Sequence, residues 1–268
     1  MFTKEQIKKQ LIDLGVPSNV PIIVHTSLRA IGETENRGEG LLEVLIEHCT
    51  KEGGLLCIPT HTWAFAREEG RIAFDLTKKE TCIGTLPQLA LEHKDAMRSM
   101  HPTHSMVVFG DKEKVTDFVA GEENFSTPAS ADGCYGKIYK ENGYILLLGV
   151  GHERNTFIHC VDEILNVPNR FAKETRTVKT KKENGEVTKK EMRTHYAEGI
   201  GTSVSGKFPK LAKAFEDTNA SKYGKVGNAD AVLCSAVKVK ETLEKIYSRT
   251  KGIEILDDSF EIKEEHYI

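Results

Sequence analysis

Short runs of apolar, often β-branched residues alternate along the chain with stretches in which apolar residues recur every three or four positions. That alternation predicts layers of strands and helices. Residues 21–26 (PIIVHT) read as a buried strand. A glycine-containing loop and a helix near 39–51 follow, with Leu41, Leu42, Leu45, Ile46 and Cys49 on one face. The same reading gives a strand in GLLCIPTH, a helix in IGTLPQLALEH, a strand in HSMVVFG and a short helix in DKEKVTDFVAG. YILLLGVG is the clearest buried strand, and it runs through a Gly-Val-Gly turn into a helix, NTFIHCVDEILN. Further on come a helix in FPKLAKAFED, a strand in ADAVLCSA, a helix in VKVKETLEKIYSR and a short strand in GIEIL.

Residues 174–193 break the pattern. They are polar, rich in Lys and Thr, and centred on Asn184-Gly185, a dipeptide that favours a type I′ turn, so they predict an exposed β-hairpin. The run is basic, but it has no interleaved aromatics and is interrupted by glutamates, which fits a solvated hairpin better than a nucleic-acid surface. No internal repeat or low-complexity linker divides the chain. The expectation is an α/β fold in which residues 1–268 form a single domain, a central mixed sheet flanked by helices with the hairpin around residues 174–193.

A chain of 268 residues can bury a substantial core without cross-links. A net charge of -3 gives no overall attraction to nucleic acid or to acidic lipid. No apolar run approaches the ~20 residues that span a bilayer, so neither a nucleic acid nor a membrane is an expected partner. The N-terminal MFTKEQIKKQLIDLG reads as an amphipathic helix without the apolar region and cleavage site of a signal peptide, and the expected compartment is the cytoplasm. The cysteines at 49, 57, 82, 134, 160 and 234 form no Cys-x-x-Cys pair, which favours reduced thiols over disulfides or structural zinc.

Three constellations could carry chemistry. His25-Thr26-Ser27-Leu28-Arg29-Ala30-Ile31-Gly32 leaves the first buried strand at its carboxyl end, where ligands bind in open α/β sheets. Hydroxyls, free backbone N–H groups and one arginine suit a phosphate or pyrophosphate, although the segment is neither a Walker loop nor a dinucleotide fingerprint. His101-Pro102-Thr103-His104-Ser105 precedes a strand. Its two histidines could be a metal pair or could line a cleft, and the intervening proline argues against one helical face holding both rings. In Asn155-Thr156-Phe157-Ile158-His159-Cys160-Val161-Asp162-Glu163, Asn155 or Thr156 is a good N-cap and His159 falls in the first helical turn. Asp162 and Glu163, three and four residues on, are placed to hold its ring. The helix N-terminus would lower the imidazole pKa and a carboxylate would raise it, which suits a general base. Cys160 adjoins His159 in sequence but points roughly 100° away around the helix, so a Cys–His nucleophile is not the expected arrangement.

VHTSLRAIG, IPTHTW, IGTLPQL, RSMHPTHSMVVFG and ILLLGVGHERNTFIHCVDE, in that order, resemble the corresponding blocks of aminoglycoside 3-N-acetyltransferases, from about residue 21 to 163. The resemblance implies acetyl transfer from acetyl-CoA to an amine, the 3-amino group of a 2-deoxystreptamine ring. It makes His159 the catalytic base and places CoA contacts at His25, Thr26, Ser27, Leu28, Arg29 and Gly32, with Gly84 and Thr85 nearby. His101, His104 and Ser105 count as further cleft residues on the cofactor side. The family often shows His-x-x-Glu; here Asp162 holds that place and Glu163 follows, so either could orient His159.

The implied reaction needs no metal and no covalent intermediate, because holding both substrates together makes the attack effectively unimolecular. A polycationic acceptor calls for clustered carboxylates, for which Asp132, Glu122-Glu123 and Glu216-Asp217 are the candidates. A homo-oligomer is compatible with this reading. The rivals are a metal-dependent hydrolase using His101, His104 and His159, and a CoA-binding relative with a non-antibiotic acceptor.

Overall fold

Strands with apolar side chains on both faces lie at the centre of this fold and polar ones at its margins. A computed structural model describes residues 1–200, 202–250, 252 and 254–268. In chain order the strands are β1 (Pro21–Thr26), β2 (Leu55–Pro59), β3 (Phe74–Asp75), β4 (Met97–Arg98) and β5 (Met106–Phe109). Then come β6 (Tyr144–Leu148), β7 (Arg176–Lys181), β8 (Val187–Met192), β9 (Ser221–Val226) and β10 (Ala229–Ser235). Seven form one sheet in the order β4-β5-β2-β1-β6-β10-β9, and the remaining three form a second, β3-β7-β8.

Helices divide between the two faces of the main sheet by position in the chain. α1 (Lys4–Leu14), α2 (Leu28–Ile31), α3 (Arg37–Thr50) and α4 (Thr85–Glu92) cover one face, where Leu11, Leu45 and Leu86 belong to the same core as Ile22, Val24 and Leu146. α5 (Lys112–Val119), α6 (Cys134–Lys140), α7 (Phe157–Ile164), α8 (Ala212–Asp217) and α9 (Ala236–Thr250) cover the other. There Phe118, Ile138, Val161, Phe215 and Leu243 share a core with Ile23, Ile145 and Leu147. Successive residues of β1 and β6 thus point into different cores, as pleated strands require.

β1 is parallel to both of its neighbours, β2 and β6; the other pairings in the main sheet are antiparallel. The chain leaves β1 into α2 on one face and leaves β6 towards α7 on the other. Adjacent parallel strands whose connections part in this way open a crevice at their carboxyl ends. Both the His25–Gly32 segment and the turn before His159 arise at that crevice.

The α/β class, the mixed sheet and the hairpin are as the sequence predicts, with local differences. Gly185 has φ +86°, while Asn184 is not among the residues with positive φ. The hairpin turn is therefore not type I′. Gly185 N–H donates to Lys182 O, and Lys182 N–H to Glu186 O, closing a tight turn with a left-handed glycine. One face of the hairpin is covered, since β3 pairs parallel with β7 and Val178, Met192 and Ala73 are buried together. FPKLAKAFED begins as 3-10 helix (Val204–Leu211) and becomes α-helical only at Ala212, because Pro209 inside that stretch has no N–H to donate. In GIEIL, Glu254–Leu256 form a 3-10 turn in place of the expected strand, and Ile253 lies outside the described residues.

Candidate active site

β6 ends at Leu148, and the chain turns through Gly149 and a 3-10 turn (His152–Arg154) into α7. Thr156 occupies the N-cap position without a side-chain capping bond, and His159 lies in the first turn. Phe157, Ile158, Cys160 and Val161 are buried and fix the helix in the core, leaving His159 half-buried towards the crevice. Its ring packs edge-on against Phe208, centroids 4.8 Å apart, and stacks on His195 at 3.9 Å with 15° between planes. Burial pushes its pKa well below 6.5, helped by the positive charge on His195 when protonated and by Arg170. Imidazole in this setting is neutral at neutral pH.

Neither carboxylate expected beside His159 holds its ring. Asp162 is 1% exposed and belongs to a buried ion pair, accepting from Arg170 Nε at 2.9 Å and from Tyr247 OH at 2.8 Å. Arg170 in turn donates to Gly252 O at 2.6 Å. Glu163 Oε1 accepts from Ala129 N–H at 2.9 Å and pairs with His195 Nε2 at 3.0 Å. His159 Nδ1 itself is buried without a hydrogen-bond partner.

Other expected site residues divide into two groups. His25 and Thr26 end β1 at the crevice, and His25 Nε2 and Thr26 Oγ1 are buried and unpartnered. Burial, then the nearby Arg154 charge, lowers the His25 pKa to about 4. Ser27 caps α2 by accepting from Ala30 N–H at 3.3 Å, and Arg29 is exposed. A hollow of about 140 Å³ opens beside this segment, with Leu28, Gly32 and Arg37 in its wall. Gly84 and Thr85 are exposed at the start of α4, two residues beyond Cys82, whose N–H donates to His61 O at 2.8 Å. A larger hollow of about 240 Å³, between residues 66–71 and β7, touches none of these residues. Size there does not mark chemistry, whereas unpartnered polar atoms do.

The second group makes hydrogen bonds within the protein. His101 Nδ1 accepts from Thr103 and His104 N–H, and its Nε2 donates to Thr127 O at 2.9 Å, so both nitrogens are used. Ser105 is fully buried and its hydroxyl donates to Thr60 O while accepting from Arg98 Nε. Against expectation, neither offers a polar atom to a ligand in this arrangement. His104 Nδ1 meets Thr103 Oγ1 at 2.9 Å, and its ring lies between His61 (4.4 Å) and His195 (6.1 Å). The spent nitrogens of His101 also weigh against the metal hydrolase, and no three His, Cys, Asp or Glu side chains among the described residues converge as metal ligands. Burial raises the Cys160 thiol well above 9, opposite to what a nucleophile needs.

Three of the five acidic residues considered for a polycation are engaged within the protein. Glu122 is buried and accepts from Cys134 N–H at 2.6 Å; Asp132 pairs with Lys140 and Asp217 with Lys213. No pattern in the sequence singles out His195 or Arg170. Both lie beyond the recognisable blocks, and only long-range contacts bring them here.

Five buried polar side-chain atoms without partners gather around the ends of β1 and β6, on His25, Thr26, His152, Asn155 and His159; among the described residues only Ser221 Oγ adds to them. Each such atom costs about 1–3 kcal/mol if nothing satisfies it. Their concentration marks a place built for a polar ligand. A profile described as aminoglycoside 3-N-acetyltransferase matches residues 23–248, including every one of those five. The chain belongs to this acyltransferase family. Among relatives of this acetyltransferase is the SPbeta prophage-derived aminoglycoside N(3')-acetyltransferase-like protein YokD of Bacillus subtilis, 24% identical over 91% of each chain. Aminoglycoside N(3)-acetyltransferase III of Serratia marcescens is 29% identical over 63% of this chain and 67% of its own. The fold is that of aminoglycoside acetyltransferase AAC(3)-IVa, solved as a mutant in complex with a gentamicin: TM-score 0.77 at 20% identity, covering 100% and 98% of the two chains. No helix among the described residues of the acetyltransferase is long and apolar enough to cross a membrane.

Proposed function

We propose that this acetyltransferase moves an acetyl group from acetyl-CoA to an amine of an aminoglycoside-like acceptor, the 3-amino group of a 2-deoxystreptamine ring, with His159 as general base. The observation that carries this reading is His159 itself: a histidine in the first turn of α7, kept neutral by burial, at the crevice where unpartnered polar atoms collect. The gentamicin complex of the similarly folded enzyme supports a polycationic acceptor.

An amine at neutral pH is mostly ammonium and cannot attack a thioester. The ammonium first gives one proton to solvent; the free amine then bonds to the carbonyl carbon, neutral His159 accepts its second proton as the C–S bond breaks, and CoA leaves as thiolate. A base of low pKa is effective here because the attacking nitrogen becomes strongly acidic as the C–N bond forms. Arg29 and the N–H groups of Leu28 and Arg29 would anchor the CoA phosphates beside the 140 Å³ hollow, since the N–H groups of residues 27 and 30–32 already donate to carbonyls of Leu148, Ser27 and Leu28. Transfer is direct, since Cys160 is buried and its thiol is held protonated.

Thiol release from acetyl-CoA, measured against a panel of gentamicin-type and neomycin-type compounds and simple amines, tests the reading. Release with the aminoglycosides is expected. Turnover only with other amines would keep the transferase and discard the antibiotic acceptor.

A further inference from the structure

His195 lies in no recognisable block of the sequence, yet it makes the closest ring contact with His159. It follows β8 and is fixed there by backbone pairing: Ala172 N–H donates to Thr194 O, and Tyr196 N–H to Arg170 O. Its Nε2 faces Glu163 Oε1 at 3.0 Å, and its ring leans on Phe171 with centroids 5.4 Å apart. Stacked on the same ring is His159, parallel to within 15° at 3.9 Å.

We propose that His195 is a positioning residue for His159, held by the Glu163 carboxylate and fixing the plane of the catalytic imidazole by stacking. This rests on His159 being the base.

Two considerations separate this from ordinary packing. Phe171 and Phe208 already supply apolar contact, so an apolar side chain at 195 would fill the space without burying a carboxylate. Glu163 is 8% exposed at its side chain, and a carboxylate so buried is costly unless charge or hydrogen bonds compensate. The stack also fixes what His195 does not do. N–H bonds lie in the ring plane, so parallel imidazoles cannot pass a proton directly between them. His195 therefore acts on geometry, and the Glu163 carboxylate reaches the base through a second ring instead of touching it. Besides His195, the titratable groups around His159 are Arg170, His61 and His104; Phe208 is the apolar neighbour.

The test combines turnover with an NMR titration of His159, which needs no acceptor. In His195→Ala, kcat is expected to fall about 10–10²-fold with the acetyl-CoA KM within about twofold, because a base displaced by a fraction of an ångström loses alignment, not substrate. His195→Phe, which keeps a flat ring in the stack but cannot bond Glu163, should recover only part of that loss. Glu163→Ala should repeat the loss and Glu163→Gln recover much of it, since the amide oxygen still accepts from Nε2; this pair replaces the alanine variant if that one does not fold. In the titration, wild-type His159 stays neutral through the usual histidine range. Removing the stacked ring in His195→Ala admits water, so protonation should move up towards pH 6.5. Unchanged kcat and an unchanged titration in His195→Ala overturn the proposal. If wild type transfers no acetyl group, the functional reading fails, and the titration alone still decides whether His195 governs His159.

Discussion

At the scale of single residues, spacing puts His159 in the first turn of a helix, where it lies, but mistakes its partners. Asp162 and Glu163 are where an i+3 or i+4 contact could form, yet their real partners are tertiary: Arg170 eight residues on, Tyr247 85 residues on, and His195 32 residues from Glu163. A buried arginine draws in a buried carboxylate more strongly than a neutral imidazole does, and sequence order does not show that the arginine is buried. Asp162 thus has a stability role to test. Asp162→Asn strands a guanidinium that is 1% exposed, and a loss of about 3–5 kcal/mol in urea unfolding is expected. Unfolding within about 1 kcal/mol of wild type would show that the ion pair does not carry this load.

Among elements, those buried on both faces are the legible ones. PIIV in β1 and ILLL in β6 are apolar and buried throughout because helices cover both sides of these strands. β9 (SKYGKV) leaves no such signal, because it is an edge strand whose four middle residues are exposed and no apolar alternation survives. The crevice is only half legible. Its loops can be placed at strand ends, but not the opposite courses of α2 and α7 that open it. Gly149 is the joint between those courses. It has φ +67°, and a Cβ there would lie 2.4 Å from Ala30 Cβ, inside the segment expected to hold CoA. Strain in the left-handed region and overpacking together should cost Gly149→Ala about 2–4 kcal/mol. The displaced α2 segment should also raise the acetyl-CoA KM. Wild-type stability and KM in that variant would mean the loop yields freely.

For the whole molecule, the consequence of gathering histidines at one crevice is acid sensitivity. Burial lowers His25, His101 and His152 to about 4, His195 to about 3, and His61, His104 and His159 well below 6.5. Between those values and 6.5 the unfolded chain binds more protons than the folded one, so stability is intact above pH 6.5 and is lost as pH falls below it. Each histidine adds a slope of up to about 1.4 kcal/mol per pH unit. Glu122, Glu141, Asp162 and Glu163, raised by burial, oppose this only where carboxyls titrate, and they are four against seven. Tm measured by calorimetry should fall steeply from pH 7 to pH 5. A flat Tm over that interval would show that these rings take up protons in the folded state.

Acetyl transfer through His159 is the claim on which the rest depends. Thiol release from acetyl-CoA with an aminoglycoside acceptor, run on wild type and His159→Ala side by side with direct measurement of acetyl-CoA binding, tests it most directly. Turnover should drop by about 10²–10⁴-fold in the variant while acetyl-CoA affinity stays nearly intact. Near wild-type turnover in His159→Ala would contradict the account.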